Sequence, residues 1–290
     1  MLIALLKTMR PRQWPKNGFV FFALVFDKQL FHLEAFLHTL GGFALFCLVS
    51  SVVYIINDIA DIEADRQHPK KKLRPLPSGK LSVNVAWAAA IVIVVICMPL
   101  AWLLSPGFAT VLAVYLLINL AYSRWLKHIP ILDVFIIAAG FVLRVEAGVT
   151  LIVVVRFSPW LYLVTTLGSL YLGFGKRRAE LTLLTQGAGS HRKVLDGYSI
   201  PLLDQYLTIV ATSTIVFYSF YTFTAENMPK NHSMMLTIPF IMYIIFRYQY
   251  LVNMTDQTGA PDEVLLTDRP MQIALLLMGI TVMAAFYFIP

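Results

Sequence analysis

Only two cysteines occur in the 290 residues, Cys47 and Cys97, each inside its own apolar run. That excludes a disulfide framework and a thiolate metal site, and it leaves both as packing residues. Acidic residues are scarce too, 16 Asp and Glu against 23 Lys and Arg. There is no low-complexity linker, no obvious repeat and no polar stretch long enough for a soluble domain, so one membrane domain over residues 1–290 is expected. The opening Met-Leu-Ile-Ala-Leu-Leu-Lys has no charged region ahead of its apolar piece and no small-residue cleavage site. It does not read as a secretory signal, and a place along the membrane surface is expected for it.

What the chain has in quantity is hydrocarbon: 58% of residues are hydrophobic and the mean hydropathy is +0.72. A soluble globular domain is excluded and a polytopic all-α membrane protein is expected. Apolar stretches able to span about 30 Å of hydrocarbon lie near residues 14–33, 36–56, 81–104, 106–123, 129–151, 157–175, 205–225, 233–250 and 270–289, which predicts about nine helices. Lys16, Asp27 and Lys28 shorten the uncharged part of the first. With a cytoplasmic N-terminus, alternation puts Lys7, Arg10, Arg12, Lys16, the 66–80 group, Arg124, Lys127, Lys176 to Arg178, Arg192, Lys193, Arg247 and Arg269 inside. Only Lys28, Arg156 and Lys230 fall outside, which satisfies the positive-inside rule for a cell (inner) membrane protein. The net charge of +7 is then topology and attraction to anionic lipid, and no nucleic acid is called for.

Against this background Asn57-Asp58-Ile59-Ala60-Asp61-Ile62-Glu63-Ala64-Asp65 is conspicuous, because three aspartates and an asparagine arrive where the uncharged run from Phe36 to Ile56 stops. On a helix Asn57, Asp58, Asp61 and Asp65 fall within roughly 100° of arc, and Glu63 points away. Like charges at these spacings repel unless a cation neutralises them. An oxygen-rich face suits Mg²⁺, a hard ion usually held by one or two carboxylates together with substrate phosphates. The loop continues through His68, Lys70, Lys71, Lys72, Arg74 and Pro75 to Pro77-Ser78-Gly79. Acid followed by base suits a polyanion bridged between metal and guanidinium or ammonium groups. Arg74 is the substrate candidate, the three lysines read as anchoring, and His68 has no second ligand at metal spacing.

Other polar residues mark helix ends on the same side. Lys16 and Asn17 stand at the entrance of the first span, and Tyr122 and Lys127 flank Ser123-Arg124-Trp125-Leu126. Asp133, Gly140, Arg144 and Gly148 share one stripe of the fifth helix, with Arg144 about 16 Å along the axis from Asp133. An arginine that deep reads as functional. Glu146 faces the other side. Gly175-Lys176-Arg177-Arg178-Ala179-Glu180 closes the sixth span, where pairing of Lys176 with Glu180 is expected to leave Arg177 and Arg178 for anions. Asp268 is equally suited to capping the last helix and to touching ligand.

Asn57, Asp58, Asp61 and Asp65 match the Asn-Asp-x-x-Asp-x-x-x-Asp motif, and over nearly its whole length the chain resembles the UbiA superfamily of intramembrane prenyltransferases. The resemblance implies nine helices around a central cavity, Mg²⁺, and a polyprenyl substrate entering from lipid. One departure stands out: Lys176-Arg177-Arg178-Ala179-Glu180 occupies the place of the second aspartate-rich motif. With Arg10-Pro11-x-Gln13-Trp14-x-Lys16-Asn17, the Asp133 to Gly148 stretch and Leu203-Asp204-Gln205, this is similar to the decaprenyl-phosphate phosphoribosyltransferase branch. That branch implies phosphoribosyl diphosphate as donor and a polyprenyl phosphate as acceptor, the product serving as a precursor of arabinose donors for cell-wall polymers. It implies Asp58, Asp61 and Asp65 on metal and diphosphate at the cytoplasmic face. Lys16, Asn17, Asn57, Arg74, Tyr122, Lys127, Arg144, Lys176, Arg177, Arg178 and Glu180 would line the substrates. The absence of a plausible histidine base agrees, since the acceptor phosphate is already ionised. Alternatives are transfer of a prenyl group from its diphosphate to an aromatic or other small acceptor, and, from another class, a lipid or ion transporter. A homo-oligomer is left open.

Overall fold

A computed structural model describes residues 1–67, 71–154, 158–185, 193–254, 264 and 267–289. Every regular element among them is helical. The chain divides into two compact units, Met1–Lys127 with Val142–Val155, and His128–Phe141 with Arg156–Pro290.

The first unit contains α1 (Leu2–Met9), a 3-10 stretch Pro11–Phe21, α2 (Phe22–Phe26), α3 (Leu33–Ala60), α4 (Ile62–Gln67), α5 (Val83–Leu104) and α6 (Pro106–Arg124), together with the second half of α7 (Leu132–Val149). Residues 14–33 do not form the single spanning helix expected there. Pro11 opens the 3-10 stretch and Pro15 lies inside it, where it removes a backbone donor and obstructs a continuous α-helix. Helix α3 packs on α5, α6 and this stretch around Val20, Phe46, Val49, Phe108, Leu112 and Ala147. Gly148 is there because nothing larger fits: a Cβ would lie 2.0 Å from the Val20 carbonyl oxygen.

The second unit contains the first half of α7, α8 (Pro159–Thr185), α9 (Ile200–Thr224), α10 (Ile238–Met254) and α11 (Arg269–Tyr287). Here α8 packs along α9 over Tyr171, Phe174, Leu203, Leu207 and Tyr248. Ser82, Ser105, Ser199 and Asp268 cap α5, α6, α9 and α11 by accepting backbone N–H groups. Pro106, Pro201 and Pro270 stand in first turns, where the missing N–H costs little.

Among the described residues six helices have the length and composition to cross a membrane: α3, α5, α6, α9, α11 and Ser233–Met254, which includes α10. Helices α7 and α8 occupy two further expected spans. Asp133, Arg144 and Glu146 in α7, and the Thr, Tyr and Gly content of α8, dilute their apolar character. Ile91, Val95 and Trp102 on α5, and Ile273, Leu276 and Ile280 on α11, are exposed. In water apolar faces of that extent would associate; lipid solvates them. This is an integral membrane protein.

Candidate active site

The C-terminal end of α3 carries Asn57 and Asp58, the helix breaks at Asp61, and α4 brings Asp65 back one turn later. The Asp65 N–H donates to the Asp61 carbonyl at 2.8 Å, an i to i−4 bond by which α4 starts directly after the break. Asp58 and Asp65 are buried, and Asp61 is the most exposed of the three. Each carboxylate meets cations of the same unit. Arg10 pairs with Asp58. Arg74 uses one nitrogen, Nη1, for both buried aspartates, 3.2 Å from Asp58 Oδ1 and 2.6 Å from Asp65 Oδ2. Lys71 Nζ lies 3.8 Å from Asp65 Oδ1 and Lys127 Nζ 2.8 Å from Asp61 Oδ1. Asn57 accepts from the Ser123 hydroxyl, which ties the motif to the end of α6.

The arrangement explains why three aspartates tolerate one helix end: four cations stand against three carboxylates. Among the described residues no three carboxylate, imidazole or thiol side chains already gather around a metal position. The donor chemistry nevertheless fits a hard divalent ion. Two buried carboxylate oxygens converge on a single cationic nitrogen, which is the kind of charge and donor set Mg²⁺ shares with substrate phosphates.

Deeper in the same unit, the Nε–H of Arg144 donates to Asn17 Oδ1 at 2.8 Å and its Nη2 to the Tyr115 hydroxyl at 3.1 Å. Its guanidinium lies over the Phe46 and Tyr115 rings, 5.5 and 5.1 Å from their centroids. Asn17 is buried and donates to Cys47 Sγ and Ser50 Oγ. Asn17 thus links Arg144 to α3. Lys16 and Tyr122 are partly buried.

In the second unit α8 ends on a different kind of cluster. Arg177 is 2% exposed, with Nε 2.6 Å from Asp133 Oδ2 and Nη1 2.6 Å from Glu180 Oε2. Asp133 also accepts from the Tyr198 hydroxyl at 2.7 Å. Burial, and next the Asp133 carboxylate it donates to, push the Tyr198 phenol far above its ordinary value, so it remains a donor. Arg178 Nε lies 2.5 Å from Asp204 Oδ1, and its Nη1 donates to the Val252 carbonyl at 3.0 Å. Both arginines hold carboxylates here, and Glu180, expected to pair with Lys176, accepts from Arg177. Lys176 is partly buried. Asp268 resolves as the α11 cap, with Arg247 Nη2 2.8 Å from its Oδ2. His68, Lys70, Arg156 and Arg192 lie outside the described residues.

Sequence reasoning left Arg10, Tyr115 and Ser123 out of the candidate set. Arg10 had a signal, since it opens the Arg10-Pro11-x-Gln13-Trp14-x-Lys16-Asn17 stretch; the structure puts it between α1 and the 3-10 stretch in the left-handed conformation at φ 54°. Tyr115 had none, being one aromatic residue in an apolar helix.

The described residues thus form a helical membrane protein with an acidic helix end faced by guanidinium and ammonium groups. The chain belongs to the UbiA prenyltransferase family, which it matches over residues 18–175. It is 31% identical to the decaprenyl-phosphate phosphoribosyltransferase of Corynebacterium glutamicum over 99% of this chain and 87% of that one. It is 33% identical to the enzyme of the same name from Mycolicibacterium smegmatis over 99% and 94%. The fold is shared with a UbiA homolog from Archaeoglobus fulgidus solved bound to DMAPP and Mg²⁺, with TM-score 0.74, 18% identity, and 98% of this chain and 99% of that chain covered.

Proposed function

We propose that this protein transfers the 5-phosphoribosyl group of phosphoribosyl diphosphate to a polyprenyl phosphate of the decaprenyl type, giving polyprenyl-phosphoryl 5-phosphoribose and diphosphate. The observation that carries the reading is the likeness to decaprenyl-phosphate phosphoribosyltransferases across essentially the whole chain. That span also favours one functional domain over residues 1–290.

In this reaction an acceptor phosphate oxygen bonds to ribose C1, the C1–O bond to diphosphate breaks, and the bonding pair leaves with the diphosphate. The attacking oxygen is ionised at neutral pH, so no proton has to move. Mg²⁺, when bound, supplies neutralisation of the charge that grows on the leaving group. Asp58 and Asp65, with Asp61, are the residues we assign to hold it. Arg10, Arg74, Lys127 and Lys71, the last expected only to anchor, stand at those carboxylates and are the proposed hydrogen-bond donors to the phosphate oxygens, with Asn57 held by Ser123 to keep the helix end oriented. Lys16, Tyr122 and Lys176 are further proposed substrate contacts. The predominance of Lys and Arg in alternate loops favours a cytoplasmic site in the cell membrane.

The test is direct. Purified protein is incubated with Mg²⁺, phosphoribosyl diphosphate labelled in the ribose, and a polyprenyl phosphate. Label passing into the lipid phase is expected, and it must stop when Mg²⁺ is chelated. Label that stays in the aqueous phase while a prenyl diphosphate is consumed with an aromatic acceptor overturns the reading.

A further inference from the structure

We infer that Arg74 is an exchangeable counter-ion: it bridges the two buried aspartates when no metal is bound and moves to the diphosphate when metal and diphosphate arrive together. The inference rests on the reading of Asp58 and Asp65 as metal ligands.

Three observations carry it. A single nitrogen of Arg74 satisfies one oxygen of each aspartate, so the guanidinium occupies the position where the two carboxylates are jointly most attractive to a cation. The carboxylates are nearly inaccessible while Arg74 is 32% exposed, so the cation is the outer layer of the cluster. The loop that carries it is anchored apart from its side chain. The buried Leu76 and Leu81 pack with Val52 and Ile55, and Ser78 N–H donates to the Arg74 carbonyl at 3.0 Å and Leu81 N–H to the Pro75 carbonyl at 3.0 Å. Gly79 at φ 76° closes the turn without strain. The guanidinium can therefore leave the carboxylates while the loop stays in place.

Charge decides when it leaves. Arg10, Lys71, Arg74 and Lys127 against Asp58, Asp61 and Asp65 give a local balance of +1. Adding a divalent ion alone would raise this to +3 in a partly desolvated cluster, which Coulomb repulsion opposes. Adding the ion with a diphosphate removes the excess, and the planar guanidinium is well formed to grip phosphate oxygens. Metal and diphosphate should thus bind with strong mutual dependence, and Arg74 should be the residue that enforces it.

The experiment measures Mn²⁺ binding to the full-length protein in detergent by the EPR signal of free Mn²⁺, with and without inorganic diphosphate. Wild type should bind Mn²⁺ weakly alone and at least tenfold more tightly with diphosphate. Arg74→Gln should bind Mn²⁺ alone at least tenfold more tightly than wild type and gain little from diphosphate. Asp65→Asn in the Arg74→Gln background should remove the tight site. Tight Mn²⁺ binding by wild type without diphosphate overturns the inference whatever the variants do. So does an unchanged or weaker Mn²⁺ affinity in a folded Arg74→Gln protein. Inorganic diphosphate carries no ribose, so the exchange can hold where phosphoribosyl transfer fails, and the reverse outcome is equally visible.

Discussion

At the scale of the residue, the two arginines after Lys176 differ in what removing them does. Arg177→Ala leaves Asp133, wholly buried, without its guanidinium. Stranding one partner of a buried pair costs on the order of 3–5 kcal/mol. Arg178→Ala strands Asp204, which is 45% exposed and can take up water, so that loss should be about 0–1 kcal/mol. Unfolding in mild detergent by added denaturant, followed by circular dichroism, should show a large loss for the first and a small one for the second. Equal losses would mean the Asp133 network is not the strut its burial indicates. Asp61→Asn tests the opposite case: its carboxylate is exposed and pairs with Lys127, so the fold should survive while phosphoribosyl transfer falls at least a hundredfold. Lys72→Glu, in an exposed side chain of the basic run, should change the initial rate by less than about threefold.

Helix ends and close approaches govern the scale of the element. Gly148→Ala would place a methyl group against the backbone oxygen of Val20, which cannot rotate away. Overpacking of this kind costs about 1–3 kcal/mol, and a lowered unfolding midpoint with an unchanged helical spectrum of the folded state is the expected result. The start of α11 should respond to pH. Hydrogen bonding from Arg247, and then the N–H of Met271, holds the Asp268 carboxyl below the usual carboxylate range. A depressed folded value means stability that is present above the unfolded value and lost as pH falls through the folded one. Protection of the Met271 amide, its exchange rate relative to the intrinsic rate at each pH, should fall below that range in the wild type, and Asp268→Asn should remove that change in protection.

For the whole molecule the question is which loops share a side of the membrane. With Cys47 and Cys97 replaced by Ala, Ser78→Cys and Asn231→Cys place single thiols in exposed connections after α4 and after α9. In intact cells a membrane-impermeant maleimide should label the second and spare the first until the cells are lysed. Labelling of both, or the reverse pattern, would contradict a cytoplasmic aspartate motif.

Much of this was written in the order of residues. Apolar length alone located α3, α5, α6, α9 and α11, because in lipid a backbone without internal hydrogen bonds is too costly. The spacing of Asn57, Asp58, Asp61 and Asp65 announced a charged face, since helical periodicity is a local property. The first expected span failed because hydropathy counts side chains and is blind to the backbone donor that Pro15 removes. Which cation meets which carboxylate could not be read from the chain. Arg10 reaches Asp58 across 48 residues, Lys127 reaches Asp61 across 66, and Arg177 takes Asp133 across 44. Charge pairing over such separations depends on how helices pack within each unit: in the second, α7, α8 and α9 decided that two arginines of a basic run would hold the fold, and in the first, the loop after α4 folding back on α3 decided that Arg74 would bridge two aspartates.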